Sequence, residues 1–73
     1  MELDTERLRA IRLKRLLTQA ELAERAGLTE ATVNRIEQGI HAARISTLRK
    51  LANALDVPAD ELLAKASGES RDG

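Results

Sequence analysis

The side chains with the most specific chemistry in this sequence lie in residues 30–38, EATVNRIEQ. At 100° per residue, Val33 and Ile36 share one side of a helix. The opposite side of this helix carries small and polar side chains. They are Ala31, Asn34, Arg35 and Gln38, flanked by Glu30 and Thr32. Such a side is often only solvated. The same groups could also recognise a partner that presents a fixed pattern of donors and acceptors.

These side chains match the edges of base pairs in duplex DNA. Arg35 could bond O6 and N7 of guanine together, and Asn34 suits adenine. The methyl groups of Ala31 and Thr32 could meet the thymine methyl, and Glu30 could accept a hydrogen bond from N4 of cytosine. The residue types therefore indicate a base-reading surface, with a merely solvated helix face as the alternative.

A second set of residues could hold the phosphate backbone beside that surface. Thr18 and Gln19 begin a predicted helix, where free amides and the helix dipole favour a phosphate. The stretch GIHAAR at 39–44 adds backbone amides, an imidazole and a guanidinium. The predicted phosphate-contacting set is Thr18, Gln19, Gln38, His41 and Arg44.

Two charged residues fall on the inward sides of predicted helices. Arg12 lies beside Leu8 and Ile11, and Glu37 falls near the inward side of the helix at 30–38. We predict a partly buried ion pair between them, because a planar guanidinium bonds a carboxylate bidentately. Loss of either partner would strand a buried charge at a cost of about 3–5 kcal/mol. The alternative is that Arg12 faces a ligand.

The elements that must position these residues are all helical. Apolar residues recur at helical spacing, and nothing alternates with the period of a strand. We predict an all-α fold of five helices, at residues 4–16, 19–26, 30–38, 46–55 and 59–65.

Residue types also predict where these helices begin and end. TQAE at 18–21 forms a capping box, and Thr29 and Ser46 can cap the third and fourth helices. Gly27, Gly39 and Asp56 stand where a left-handed residue ends a helix. The second and third helices would form a helix-turn-helix at about 19–38. In DNA-binding proteins the second helix of this motif enters the major groove.

Length and composition restrict the class of protein. The 73 residues allow one domain, placed at 1–66, followed by a flexible C-terminal tail at 67–73. No apolar run approaches the roughly 18 residues that span a bilayer, so we expect a cytoplasmic, nucleoid-associated protein without membrane contact. With no cysteine and a single histidine, we expect no metal, cofactor, small-molecule ligand or enzyme activity.

The charges are grouped although their sum is zero. Residues 1–50 carry a formal charge of +3 and residues 51–73 a charge of −3. Grouped charges create a local field that the total conceals. This grouping allows a polyanionic partner, and it also allows an ordinary solvated helical surface.

Three stretches become recognisable when taken together: LTQAELAERAGLT, RIEQG and TLRKLANAL. They resemble the Cro/cI-type (Xre family) helix-turn-helix domain of phage repressors and bacterial regulators, and the likeness runs from Arg7 to Leu63. The resemblance implies a five-helix lambda-repressor-like DNA-binding domain whose third helix reads the major groove. It also implies that Gln19 holds a phosphate and that Arg12 and Glu37 form an inter-helix pair. The implied base-reading residues are Glu30, Ala31, Thr32, Asn34 and Arg35.

The sequence departs from the family pattern in three features. Leu16 replaces a frequent glycine after the first helix, which predicts a turn of different shape. Ala43-Arg44 replaces the usual Pro-Ser before the fourth helix, and Glu30 places a negative charge close to DNA.

The resulting functional prediction is sequence-specific binding of double-stranded DNA. We expect a transcriptional regulator, acting as a repressor and binding a palindromic operator as a homodimer. Leu13, or the region of Leu62 and Leu63, could carry the dimer contact. The alternative is an antitoxin or another protein-interaction module whose DNA binding is secondary.

Overall fold

The computed structural model describes residues 3–40 and 42–63 of the chain. Four α-helices are followed by one turn of 3₁₀ helix: α1 (Thr5–Lys14), α2 (Gln19–Ala26), α3 (Glu30–Glu37), α4 (Ile45–Leu55) and the 3₁₀ turn (Ala59–Leu62). The all-helical prediction is confirmed. The fifth predicted helix, at 59–65, is a 3₁₀ turn where it is described. Residues 64–73, and with them the predicted tail, lie outside the described residues.

The observed boundaries correct several predicted ones. α1 begins after Asp4, whose carboxylate caps the helix by accepting from the amide of Arg7 at 3.1 Å. α1 and α3 end at Lys14 and Glu37, each before a left-handed turn. The predicted Ser46 cap is wrong. Arg44, not Ser46, has the extended backbone from which α4 begins (φ −77°, ψ 163°), and it makes no side-chain capping bond.

All four α-helices end in the same backbone motif, and two of them do so without glycine. The left-handed residues are Leu16, Gly27, Gly39 and Asp56. After α1, the amide of Leu17 donates to the carbonyl of Arg12 at 3.1 Å, and the amide of Leu16 donates to the carbonyl of Leu13 at 2.9 Å. This pair of bonds is the Schellman motif. The turn therefore keeps its left-handed shape where the family often has glycine, and the different shape predicted for it is not found.

The apolar core determines how α3 is oriented. Val33 and Ile36 are both 0% exposed, so the opposite side of α3 faces outward. Ala23, on α2, is buried as well, and its small side chain suits the close approach of packed helices. The buried apolar residues are Leu8, Leu17, Leu22, Ala23, Ala26, Val33, Ile36, Leu48, Leu51, Ala52, Leu55 and Leu62. Full burial of a Leu or Ile side chain contributes about 1.5–3 kcal/mol.

Both ends of the described chain meet beside this core. Leu3 and Leu63 form an isolated antiparallel bridge, and the amide of Asp4 donates to the carbonyl of Leu62 at 2.8 Å. Among the described residues, no helix has the length and apolar character needed to cross a membrane.

Candidate nucleic-acid interface

The start of α2 is the predicted capping box. Thr18 Oγ1 accepts from the amide of Glu21 at 3.0 Å, and Glu21 Oε1 accepts from the amide of Thr18 at 2.9 Å. The backbone and side-chain hydrogen bonds with Thr18 hold the pKa of Glu21 below its ordinary value. The amide of Thr18 is therefore committed to the cap. Its side chain stays at the exposed start of α2.

The second helix of the motif begins at a second cap. Thr29 Oγ1 accepts from the amide of Thr32 at 3.1 Å, and the two threonine hydroxyls lie 2.8 Å apart. The Thr32 hydroxyl is thus bonded within the turn. Thr32 itself is half-buried.

The predicted base-reading residues all lie on α3, but they are not equally exposed. Glu30, Ala31 and Arg35 are exposed, whereas Thr32 and Asn34 are half-buried. Arg35 lies on the side of α3 away from the buried Val33 and Ile36. No hydrogen bond holds the Arg35 guanidinium within residues 3–40 and 42–63.

An ion pair joins α1 to α3 beneath this surface. Arg12 Nε donates to Glu37 Oε2 at 2.6 Å, and Arg12 Nη2 donates to Glu37 Oε1 at 3.0 Å. Arg12 Nη1 donates to the carbonyl of Leu17 at 2.8 Å. The side chains of Arg12 and Glu37 are 9% and 4% exposed, respectively. Each guanidinium nitrogen therefore bonds within the protein, which is the arrangement of a structural pair.

A polar depression of about 210 Å³ lies over the ion pair, between α1, α2 and α3. Its lining residues are Arg9, Arg12, Gln19, Asn34, Glu37 and Gln38. Inside it, Gln19 Nε2 donates to Glu37 Oε1 at 3.0 Å and to Asn34 Oδ1 at 3.4 Å. Gln38 Nε2 also donates to Asn34 Oδ1, at 3.3 Å. Gln19 thus turns its side-chain donors toward the protein.

Sequence reasoning did not find this network or the depression that Arg9 helps to line. Gln19 and Asn34 are 15 residues apart in sequence, and Gln19 and Glu37 are 18 apart. The only available signal was that Arg9 and Arg12 lie close together on the wheel of α1. Gln19 lies on α2, whereas Asn34 and Glu37 lie on α3, so their meeting depends on how α2 packs against α3.

Two of the remaining phosphate candidates are described, and both follow α3 along the chain. Gln38 is its exposed C-cap residue, and the exposed Arg44 directly precedes α4. His41 lies outside the described residues. Beside this loop, Ile40 and Ile45 are exposed apolar residues that the sequence analysis did not single out.

Comparisons with known proteins agree with this geometry. A family model described as "Helix-turn-helix" matches residues 8–62. The chain is 42% identical over 67 residues to the HTH-type transcriptional repressor RghR of Bacillus subtilis, covering 90% of this chain and 50% of that protein. The chain therefore spans about half the length of this relative, and 45% of a second one from the same organism.

Two solved structures are similar over most of their length. The restriction-modification controller protein C.AhdI of Aeromonas hydrophila has a TM-score of 0.79 at 36% identity, covering 81% of this chain and 89% of that chain. The P22 c2 repressor protein, in complex with a synthetic operator, has a TM-score of 0.77 at 30% identity. That match covers 86% of this chain and 96% of that chain.

Proposed function

This chain belongs to the Cro/cI-type (Xre) helix-turn-helix family, and from that premise we propose that it binds double-stranded DNA with sequence preference. The observation that carries the proposal is the outward polar side of α3, anchored by Val33 and Ile36 at 0% exposure. A helix held this firmly from behind can enter the major groove without rearranging.

The exposed α3 side chains supply the base contacts. Arg35 bonds guanine O6 and N7, and Glu30 accepts from cytosine N4 at an adjacent pair. The methyl groups of Ala31 and Thr32 meet thymine. The negative charge of Glu30 also weakens the electrostatic attraction to DNA. Glu30 therefore contributes to the selection of bases rather than to affinity. Asn34 completes the base-reading set.

Contacts to phosphate fix the position of α3 in the groove. The candidates are Thr18, Gln19, Gln38, His41 and Arg44. Because the Gln19 side chain donates to Glu37 and Asn34, its backbone amide, at the first position of α2, is the group that meets phosphate. Arg44, directly before α4, adds an exposed positive charge.

The regulatory role follows from two-fold binding. We infer a homodimer that places two copies of α3 in successive major grooves, about 34 Å apart, on a palindromic operator. Occupation of a promoter by such a dimer represses transcription. Of the dimer contacts predicted from the sequence, Leu62 is excluded by its full burial, Leu63 is half-buried, and Leu13 is exposed at the end of α1.

Selection from a random duplex library tests this function. The expected result is a site with two symmetric halves whose centres lie about 10–10.5 base pairs apart. Enrichment of no duplex would overturn the proposal and would favour the protein-interaction module instead. Enrichment of a single half-site would retain DNA binding and remove the homodimer.

A further inference from the structure

Hydrogen bonds connect Arg12 to Asn34 through Glu37 and Gln19, and the side-chain types determine which group donates in each bond. Arg12 can only donate, and the ionised Glu37 can only accept. Gln19 must therefore turn its amide nitrogen, not its oxygen, toward Glu37 Oε1, which lies 3.0 Å away. The reverse orientation would place two acceptors against each other.

The orientation of Gln19 decides that of Asn34. The same Gln19 nitrogen lies 3.4 Å from Asn34 Oδ1. If the Asn34 amide were reversed, its NH₂ group would face the NH₂ group of Gln19, and two donors would meet without an acceptor. Gln38 Nε2 donates to the same oxygen at 3.3 Å. These bonds are long, but together they occupy both lone pairs of Oδ1. Asn34 Nδ2 makes no hydrogen bond to the described part of the chain and keeps two free donors.

We propose that Asn34 is a specificity-determining residue held as a donor, which selects guanine rather than the adenine that asparagine ordinarily reads. This inference rests on the proposed function. The usual asparagine–adenine pair uses Oδ1 to accept from N6 and Nδ2 to donate to N7. Here Oδ1 is engaged within the protein. Guanine presents two acceptors, O6 and N7, to the free amino group, whereas adenine presents only N7 beside its own N6 amino group, which opposes a second donor.

Gln19 and Gln38 are positioning residues in this scheme. They touch the oxygen of Asn34 and leave its nitrogen directed away from the network. Their removal would return Oδ1 to use as an acceptor. The identity of the preferred base, rather than affinity alone, is therefore the property that these two residues control.

The first test compares the wild type with Asn34→Asp in duplex selection. An aspartate keeps acceptor oxygens for Gln19 and Gln38 but has no donor. We expect guanine at one position of each half-site to be replaced by cytosine, whose N4 can donate to a carboxylate, with a change in discrimination of roughly 5- to 150-fold. Arg35→Ala is the matched control, and it changes preference at a different position.

The second test leaves the protein unchanged. The selected guanine is replaced by 7-deazaguanine, which lacks the N7 acceptor, or by hypoxanthine, which keeps O6 and N7. We expect weaker binding with the first base and unchanged binding with the second. Because only the DNA is altered, failure of a variant to fold cannot affect this result.

The third test uses Gln38→Ala, at an exposed position. Release of one lone pair on Asn34 Oδ1 should shift the preferred base at the same position from guanine toward adenine, while the unfolding free energy changes little. Loss of affinity for all duplexes together with an unchanged base would assign Gln38 to a phosphate contact or a structural role alone, and it would overturn the positioning role.

The outcomes separate this inference from the function on which it rests. If the wild type enriches no duplex, the proposed function fails and this inference fails with it. If a site is enriched but adenine stands at the position that Asn34→Asp alters, only the inference is overturned. Equal loss of affinity for every sequence in Asn34→Asp identifies a phosphate contact, which also overturns it.

Discussion

The guanidinium of Arg12 meets the carboxylate of Glu37 through two hydrogen bonds, of 2.6 and 3.0 Å, in a site where both side chains are almost fully enclosed. This pair ties α1 to the helix that we propose reads DNA. Glu37 also receives Gln19, which in turn contacts Asn34. A single buried carboxylate therefore connects the stability of the fold to the orientation of a base-reading side chain.

Breaking this pair should destabilise the domain strongly. Arg12→Leu leaves the Glu37 carboxylate buried without its cation, and we expect a loss of about 3–5 kcal/mol in the free energy of unfolding, measured with urea. Arg7→Leu is the control, because it breaks the exposed pair with Glu61, in which both side chains are 44% exposed. That pair should contribute less than about 1 kcal/mol. Equal losses in the two variants would contradict the assignment.

Replacing the left-handed leucine with glycine should stabilise the protein. Leu16 has φ 59° and is 88% exposed. Its backbone is therefore strained, and its side chain buries little apolar surface to offset that strain. Leu16→Gly should raise the free energy of unfolding by about 1 kcal/mol. The reciprocal change, Gly27→Ala at φ 71°, has open space around the added Cβ and should lower it by a similar amount. A destabilised Leu16→Gly would show that this leucine contributes packing.

The capping box should make part of the free energy of unfolding depend on pH. Glu21 has a pKa lowered in the folded state, chiefly by its backbone hydrogen bond with Thr18. A depressed carboxyl pKa stabilises the fold above the pKa of the unfolded state, and this contribution is lost as the pH falls through the folded-state pKa. The stability difference between wild type and Glu21→Gln should therefore shrink as the pH falls below about 4.3, the ordinary pKa of a glutamate. A pH-independent difference would assign the effect to packing.

Removal of the exposed α3 guanidinium should reduce sequence preference. Arg35→Ala should weaken binding to the selected site by about 1–3 kcal/mol while leaving non-specific binding nearly unchanged. Lys50→Ala removes the same charge from the exposed surface of α4 and serves as the control. Titration of matched specific and random duplexes distinguishes the two effects. If Arg35→Ala lowered affinity equally for every sequence, Arg35 would be a phosphate contact.

Removal of the guanidinium before α4 should reduce affinity for DNA without changing sequence preference, in contrast to Arg35→Ala. Arg44→Ala should weaken binding to all duplexes by a similar factor, because a phosphate contact carries no base information. The slope of log K against log salt concentration should become shallower by about 0.9, the contribution of one neutralised phosphate. An unchanged slope would remove Arg44 from the proposed backbone contacts.

Local interactions made much of this molecule predictable from its sequence. The bounds of α2, the capping box at Thr18 and Glu21, and the left-handed ends at Gly27 and Asp56 agree with the structure. Each depends on residues within about one helical turn, so side-chain type alone determines it. The orientation of α3 was predictable for a related reason, because the spacing of Val33 and Ile36 defines its buried side.

Tertiary packing decided the features that join distant residues. Leu16 is left-handed although leucine disfavours that conformation, because the chain must reverse between α1 and α2 to bury Leu17. α4 begins at Ile45 without the hydroxyl cap expected from Ser46. The orientation of Asn34 depends on Gln19, which approaches Asn34 and Glu37 only when α2 packs against α3. Hydrogen-bond direction across helices is a property of that packing, and no local pattern in the sequence encodes it.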